Sequence, residues 1–133
     1  MKIIVTGGSG LVGKHLKEIL PNASYLSSKD CDLTDIKMVR WMISSYTPDI
    51  VIHLAAKVGG IQDNIKYPAD YFDDNILMNT NILKVCKEYN VKRFIGILST
   101  CIYPSVVDNY PMNEEDLFKG PPPSSNFSYG YAK

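Results

Sequence analysis

Tyr129 and Lys133 are four residues apart in the segment S-Y-G-Y-A-K. If this segment is helical, both side chains lie on one face, one turn apart. A free tyrosine has a pKa of about 10, too high for a base at neutral pH, and a neighbouring ammonium lowers that pKa by favouring the phenolate. We therefore predict that Tyr129 donates or accepts a proton and that Lys133 sets its strength. Tyr131 lacks a matching lysine, so Tyr129 is the better candidate.

The Y-x-x-x-K spacing is common by chance, and its meaning depends on what precedes it. Residues 91–98 predict a fourth strand, and Ser99 stands at the end of this strand. A hydroxyl at a strand end followed by a tyrosine and a lysine at helical spacing is a much stronger signal than the spacing alone.

A glycine-rich turn at the start of the chain predicts a phosphate site. Gly7, Gly10 and Gly13, with Gly8 among them, lie between a β-branched strand at residues 3–5 and a helical pattern that begins at Leu11. A strand, a glycine turn and a helix N-terminus bind a pyrophosphate through free N–H groups and the positive end of the helix dipole. The spacing is G-x-x-G-x-x-G, not G-x-G-x-x-G. A purely structural turn is the alternative, and the strand–turn–helix context favours a dinucleotide site.

The segment after the second predicted strand, residues 24–26, bears on the choice between NAD and NADP. An acidic residue at that strand end accepts a hydrogen bond from the ribose 2′-hydroxyl of NAD, whereas cationic and small polar groups suit the 2′-phosphate of NADP. Here Ser27, Ser28 and Lys29 come first. This order favours NADP, and a solvated loop with a single lysine is the alternative.

Composition excludes several classes of protein. The sequence has 133 residues, 14 basic and 14 acidic, so no charge excess indicates nucleic acid or an anionic membrane as a partner. No apolar run approaches the roughly 20 residues of a membrane-spanning helix, and the first residues form a strand rather than a signal peptide. Cys31, Cys86 and Cys101 are widely spaced, which predicts reduced thiols in a cytoplasmic protein without a structural metal. His15 and His53 lack metal-ligand spacing.

The order of elements predicts an α/β fold. Strands at 3–5, 24–26, 50–56 and 91–98 alternate with helices at 11–20, from Thr34 or Asp35 to about 47, and at 69–89. Such alternation requires a parallel, doubly wound sheet with right-handed crossovers, in one domain over residues 1–133. A long irregular segment up to Pro123 follows the fourth strand, and such segments are often functional.

Several polar or titratable residues fall within the predicted core elements. Asn75, Asn79 and Asn81 are poor helix formers inside the long helix, so we expect them to bond to neighbouring strand backbone, with surface solvation as the alternative. His53 is expected to be a strand-end core histidine, not a catalytic one, and Cys86 a core thiol.

Taken together, the motifs T-G-G-S-G-L-V-G, H-L-A-A, strand–Ser99 and Tyr129-x-x-x-Lys133 resemble the extended short-chain dehydrogenase/reductase family. Within it, the segments K-V-G-G-I (57–61), N-I-K-Y (64–67), L-S-T-C-I-Y-P (98–104) and residues 120–133 are similar to the epimerase–reductases of nucleotide sugars. The resemblance covers the whole chain and implies a Rossmann-like fold. It implies NADPH-dependent 3,5-epimerisation and 4-reduction of GDP-4-keto-6-deoxy-D-mannose.

The resemblance also implies roles for individual residues. Ser99 and Tyr129 would hydrogen-bond the C4 oxygen of the sugar, Lys133 would hold the nicotinamide ribose, and Cys101 would act as acid and base in epimerisation. The residues implied to contact NADP(H) are Gly7, Gly8, Ser9, Gly10, Leu11, Val12, Gly13, Ser28, Lys29, Asp32, Leu33, Ala55, Ala56, Ile97, Leu98, Ser99, Thr100, Tyr129 and Lys133.

The family pattern requires more than these residues. It needs a second acid/base histidine, further strands and a substrate domain after the Y-x-x-x-K helix, and neither His15 nor His53 fits that role. We therefore expect little or no catalysis from residues 1–133 alone, and exposed apolar surface. The resemblance implies a homodimer of the full-length protein, through the long helix and the Tyr129 helix. Another nucleotide-sugar epimerase or dehydratase, or a fragment that binds cofactor without turnover, are the competing interpretations.

Overall fold

The computed structural model describes residues 1–107 and 109–133, and the chain divides into two compact units. The first unit contains Met1–Ala56 and Leu77–Ile97, and the second contains Lys57–Ile76 and Leu98–Lys133. None of the helices in the described part of the chain is both long and apolar enough to cross a membrane.

The first unit is built on a four-stranded sheet. Its strands are β1 (Ile3–Thr6), β2 (Ser24–Leu26), β3 (Ile50–His53) and β4 (Arg93–Gly96), in the order β2-β1-β3-β4. All neighbouring pairs are parallel. The strand order reverses direction between β1 and β3, which is where α/β sheets of this kind bind their ligands. The predicted parallel, doubly wound sheet is confirmed.

Helices connect these strands, because parallel strands cannot be joined by tight hairpins, and three of these helices contribute residues to the first unit. They are α1 (Leu11–Ile19), α2 (Ile36–Tyr46) and α4 (Pro68–Glu88), and α4 contributes residues to both units. Asp35 caps α2, its carboxylate accepting a 2.8 Å hydrogen bond from the Lys37 N–H. Asn90, with a φ of 55°, follows the end of α4. The three predicted helices are confirmed to within a residue or two.

The core of the first unit joins the central strands to α2 and the second part of α4. Its fully buried side chains are Ile4, Val39, Met42, Ile43, Val51, Ile82 and Val85, with Cys86 beside them. Val39, Met42 and Ile43 form the buried face of α2, and the predicted core position of Cys86 is confirmed. In α1 the apolar pattern does not mark a buried face, because Leu11 and Ile19 are more than 70% exposed while Gly13 is buried.

Strands β3 and β4 are shorter than the predicted ranges 50–56 and 91–98. Thr6, His53 and Gly96 lie in one row of the sheet, and β1 ends at Thr6 because the chain turns at Gly7. Once β1 ends, the longer apolar runs of its neighbours have no central strand to pair with. The carboxyl end of the sheet is therefore set by the turn that follows β1 rather than by the length of each strand-forming run.

The second unit is mostly irregular, with short helices. It contains α3 (Ile61–Lys66), the first part of α4, 3₁₀ helices at Thr100–Ile102, Glu114–Phe118 and Ser124–Asn126, and α5 (Phe127–Ala132). Helix α3 packs against the Ser124–Asn126 turn, and α5 packs against the Thr100–Ile102 turn. The predicted helix around Tyr129 is confirmed, whereas α3 is missed by the sequence pattern.

Candidate functional site

The glycine turn of the first unit is a close-packed junction between β1, β3 and α1. Gly7 has a φ of +71°, and a Cβ on it would lie 2.7 Å from the Ala55 nitrogen. A Cβ on Gly13 would lie 2.6 Å from the Gly8 carbonyl oxygen. Side chains at either position would separate the helix from the strand ends, so these glycines bring the start of α1 against the carboxyl edge of the sheet.

The start of α1 differs from the start of α2 in the same unit. Asp35 caps α2 with its carboxylate, whereas the N-cap of α1 is Gly10, which makes no side-chain cap. The first N–H groups of a helix have no intrahelical partner, and together with the helix dipole they attract an anion. The exposed segment at residues 9–12 and the tight turn beneath it therefore fit a pyrophosphate.

The loop after β2 holds its acidic groups in local hydrogen bonds. The Asp30 carboxylate accepts from the Ser27 N–H (2.7 Å) and hydroxyl (2.6 Å), and these hydrogen bonds lower the pKa of Asp30. Asp32 accepts from the N–H (2.9 Å) and hydroxyl (2.7 Å) of Thr34. Both acids are thereby engaged within the loop, while Ser28 and Lys29 are exposed. This arrangement fits a 2′-phosphate better than a ribose diol.

Asn81 of α4 fastens the end of this loop. Its Nδ2 donates to the carbonyl oxygens of Leu33 (3.0 Å) and Thr34 (2.9 Å). Asn81 is 8% exposed, so these bonds are shielded from water. Asn81 has a low helix propensity, but its amide holds the predicted adenosine-binding segment in place.

The other two helical asparagines also have partners in their own units. In the first unit, Asn79 Oδ1 lies 2.9 Å from His53 Nε2, and His53 Nδ1 lies 2.7 Å from Thr6 Oγ1. In the second unit, the Asn75 amide accepts from the Lys57 N–H (2.9 Å) and donates to the Lys57 carbonyl (3.0 Å). For Asn75 and Asn81 the expected bonds to strand backbone are wrong, since their amides bond loop backbone, and Asn79 bonds the ring of the strand residue His53. The core role of His53, which is 2% exposed, is confirmed.

In the second unit, Ser99 and Tyr129 form a hydrogen-bonded pair. Ser99 caps the Thr100–Ile102 turn, with its Oγ accepting from the Cys101 N–H at 3.2 Å. The Ser99 side chain also hydrogen-bonds the Tyr129 phenol. The Thr100–Ile102 turn and α5 pack against each other and so bring together three of the four predicted catalytic residues, Ser99, Cys101 and Tyr129.

Burial raises the pKa of Tyr129 above its ordinary value of 10.0; the Ser99 hydrogen bond lowers it and the neighbouring Cys101 raises it further. The prediction that Lys133 lowers this pKa is therefore wrong. The physical reason is that removing the phenolate from water outweighs the favourable contacts of the charged form. At neutral pH Tyr129 is a neutral phenol, which is the form that donates a proton.

Lys133 follows α5, with its N–H bonded to the Tyr129 carbonyl at 3.1 Å. Its pKa is lowered from 10.5 by burial. The side chain lines a cavity of about 510 Å³ whose other walls are mostly apolar: Ile102, Leu117, Phe118, Gly120, Pro122, Gly130 and Tyr131. This cavity contains none of Ser99, Cys101 and Tyr129, so it is distinct from the hydrogen-bonded pair.

Two residues near Cys101 were missed by the sequence analysis. Asn126 Nδ2 donates to Cys101 Sγ at 3.2 Å, and its buried Oδ1 has no hydrogen-bond partner among the described residues. A Cβ on Gly130 would lie 2.5 Å from the Cys101 carbonyl oxygen. The sequence gives one indication that Asn126 belongs to this cluster, which is its position three residues before Tyr129. The other two thiols, Cys31 and Cys86, are buried, and burial raises the pKa of each to about 11.

Comparison with known proteins identifies a family and a set of close relatives. The family model described as "NAD dependent epimerase/dehydratase family" matches residues 3–133. The GDP-L-fucose synthase of Dictyostelium discoideum is 42% identical over 138 residues, covering 98% of this chain and 43% of that protein. The probable GDP-L-fucose synthase of Drosophila melanogaster is 39% identical, covering 99% of this chain and 43% of that protein. The chain thus spans less than half the length of these relatives.

A solved structure gives the same picture of the fold. The crystal structure of a GDP-L-fucose synthetase from Naegleria fowleri bound to NADP superimposes with a TM-score of 0.88 at 43% identity. The similarity covers 99% of this chain and 44% of that chain.

Proposed function

The chain belongs to the NAD dependent epimerase/dehydratase family, and on this basis we propose that the full-length protein converts GDP-4-keto-6-deoxy-D-mannose to GDP-L-fucose. The reaction is an NADPH-dependent 3,5-epimerisation followed by reduction at C4. The observation that carries the proposal is the hydrogen bond between Ser99 and Tyr129, with Cys101 on the same turn as Ser99. Because the relatives are more than twice as long as this chain, the substrate and the whole activity are part of the proposal.

Ser99 and Tyr129 act on the C4 oxygen of the sugar. A ketone at C4 acidifies the protons at C3 and C5, and the enolate that forms when either is removed carries its charge on that oxygen. A hydrogen bond already holds the two hydroxyl groups next to each other, so donors to this charge are in place before the reaction begins. The same pair therefore serves both epimerisations.

Cys101 exchanges protons at C3 and C5. A thiol can donate a proton, and its thiolate can accept one. Inversion requires a proton on the opposite face and hence a second acid/base group. His15 and His53 are unsuited to this task, since His15 bonds the Leu11 carbonyl on exposed α1 and His53 is enclosed between Thr6 and Asn79.

Tyr129 donates the proton that completes reduction. NADPH, when bound, supplies the hydride to C4. The C4 oxygen then takes a proton from the phenol, and the raised pKa of Tyr129 keeps that phenol protonated across the neutral range. Lys133 holds the nicotinamide ribose.

The first unit supplies the binding surface for the dinucleotide. The turn at Gly7, Gly10 and Gly13 and the start of α1 take the pyrophosphate, and Ser28 and Lys29 take the 2′-phosphate. Support for this assignment comes from the close packing that a Cβ at Gly7 or Gly13 would disrupt, and from the absence of a side-chain cap at Gly10. The relative of known structure that is described as bound to NADP is 43% identical to this chain.

The test uses the full-length protein with GDP-4-keto-6-deoxy-D-mannose and NADPH, and follows the loss of nicotinamide absorbance. Tyr129→Phe should reduce turnover by about a hundred-fold or more, because the proton donor is lost. Tyr131→Phe is the matched control, since Tyr131 lies in the same helix with its ring against Phe127. No oxidation of NADPH by the parent protein would reject the proposed reaction.

Product analysis separates the competing interpretations. Nuclear magnetic resonance of the nucleotide sugar should show the L-fuco configuration, whereas reduction without inversion would indicate a simple C4 reductase. Binding of NADPH without any change in the sugar would indicate a cofactor-binding protein without turnover.

We also propose that the full-length protein is a cytoplasmic homodimer that uses α4 and α5. The support is exposed apolar side chains on both helices: Leu83 of α4 is 50% exposed and Tyr131 of α5 is 54% exposed. A stable monomer at micromolar concentration in size-exclusion chromatography would contradict this assembly.

A further inference from the structure

Asn126 and Cys101 are 25 residues apart in the sequence, and their side chains are in contact. The Asn126 Nδ2 group donates a hydrogen bond of 3.2 Å to Cys101 Sγ. We propose that Asn126 is a positioning residue for Cys101, which orients the thiol and stabilises the sulfur anion that removes protons from the sugar. The inference rests on the proposed function, because that function assigns the proton transfers to Cys101.

The donor and acceptor atoms of this contact determine whether it favours the thiol or the thiolate of Cys101. An amide N–H that donates to sulfur favours the anion, whereas an amide oxygen that accepted from S–H would favour the neutral thiol. Here Nδ2 meets the sulfur, while the buried Oδ1 has no partner among the described residues. The contact with Cys101 is therefore the side-chain hydrogen bond that orients this amide.

The main chain of Cys101 is held on both sides of its side chain. Its N–H is bonded to Ser99 Oγ at 3.2 Å, and its carbonyl oxygen lies against Gly130 with no room for a Cβ. With the backbone held in this way, the remaining freedom of the residue is rotation of the thiol. The hydrogen bond from Asn126 restricts that rotation.

Asn126 is placed by the element that places Tyr129. Its N–H bonds the Pro123 carbonyl at 2.9 Å, and it immediately precedes α5, in which Tyr129 is the third residue. The start of α5 therefore sets both the amide that faces the thiol and the phenol that bonds Ser99. The same short segment therefore positions residues next to both the Cys101 thiol, which serves epimerisation, and the Ser99 hydroxyl, which serves reduction with Tyr129.

The experiment measures alkylation of Cys101 by iodoacetamide in the full-length protein without substrate, with modification followed by peptide mass spectrometry. Only the thiolate reacts, so the rate reports the anion directly. Cys31 and Cys86 serve as internal references, because both are buried and have raised pKa values of about 11.

Asn126→Ala should slow the alkylation of Cys101 by about five-fold near pH 7, through loss of a hydrogen bond to the anion. The difference should close near pH 10, where the thiolate forms without help. Asn126→Asp, which has the same shape, should slow the reaction further, because its carboxylate repels the anion. Ser125→Ala, in the same 3₁₀ turn, should leave the rate unchanged. Exchange of solvent deuterium into the sugar at C3 and C5 should fall in parallel in both Asn126 variants.

An unchanged or faster rate in the Asn126 variants near pH 7 would overturn the inference. A slowdown equal at both pH values would mean altered access to the thiol and would overturn it as well. If Asn126→Ala does not fold, the isosteric Asn126→Asp decides the question. If the parent protein converts the sugar but the Asn126 variants are alkylated at the parent rate, only this inference is contradicted. If the variants are alkylated more slowly but the parent protein does not convert the sugar, only the proposed function is contradicted.

Discussion

Gly130 of α5 lies directly against the main chain of Cys101. A Cβ built on Gly130 would be 2.5 Å from the Cys101 carbonyl oxygen and 2.9 Å from Pro122 Cβ. Real Cβ atoms do not approach backbone so closely, so the side chain at position 130 must be a hydrogen for Cys101 and Tyr129 to keep their relative positions. The glycine between Tyr129 and Tyr131 is thus a structural requirement of the predicted catalytic cluster.

Replacement of Gly130 tests this relationship. Gly130→Ala should destabilise the full-length protein by about 1–3 kcal/mol, the usual range for overpacking, and should lower epimerisation more than cofactor binding. Urea denaturation and deuterium exchange into the sugar measure the two effects. Gly60→Ala is the matched control, because a Cβ there meets no atom within 4 Å. Equal stability of Gly130→Ala and Gly60→Ala would contradict the packing argument.

Lys29 is the residue expected to distinguish NADPH from NADH. Lys29→Ala should weaken NADPH binding about ten-fold, since a charge-assisted contact with the 2′-phosphate is lost, and should leave NADH binding almost unchanged. Titration of nicotinamide fluorescence gives both dissociation constants. Lys37→Ala, which removes an exposed lysine from α2, controls for net charge. A parallel loss for both cofactors would reject Lys29 as the discriminating group.

Asn81 connects helix stability to the cofactor loop. Asn81→Ala removes two hydrogen bonds to the Leu33 and Thr34 carbonyls and leaves these acceptors unpaired, which should cost about 1–3 kcal/mol of unfolding free energy. Because residues 28–33 are the predicted adenosine segment, NADPH affinity should fall as well. Chemical denaturation and fluorescence titration test the two consequences. Thr80→Ala, an exposed neighbour on α4, should change neither quantity.

Asp49 gives the first unit a pH-dependent contact. A hydrogen bond from the Lys92 ammonium, followed by one from the Lys2 N–H, lowers the pKa of Asp49 below its ordinary 3.8. A lowered native pKa stabilises the folded state above the unfolded pKa, and this stabilisation disappears as the pH falls through the native value. Asp49→Asn should therefore lower the melting temperature at neutral pH, and the difference should narrow below about pH 4.

The variant Lys92→Gln refines this test, because it removes the ammonium and leaves the Lys2 contact in place. It should show part of the Asp49→Asn effect at neutral pH. A difference in melting temperature that persists unchanged into acid would show that charge is not the cause.

The alternation of strands and helices was predictable because it depends on local chemistry. The β-branched run before Gly7, the Asp35 cap and the apolar spacing of α2 each act over a few residues, and each predicted element is present in the structure. The Tyr129–Lys133 spacing was readable for the same reason, since one helical turn relates the two residues.

The exact ends of strands and the partners of polar side chains depended on residues far away in sequence. Strand β3 stops at His53 because β1 stops at Thr6, and Asn81 bonds carbonyls 48 and 47 positions earlier. Short helix α3 carries too few residues for a periodic signal. Such features follow from which elements become neighbours, and a sequence pattern within one element does not contain that information.

The chemistry of the cluster divides in the same way. The sequence by itself determined which groups are present: Ser99, Cys101, Tyr129 and Lys133, and a glycine turn suited to a phosphate. Only the tertiary structure decided that burial raises the pKa of Tyr129, and that Asn126 and Gly130 meet Cys101. The physical reason is that ionisation and hydrogen bonding depend on solvent exclusion and on atoms within a few ångströms, and folding brings those atoms together from distant parts of the chain.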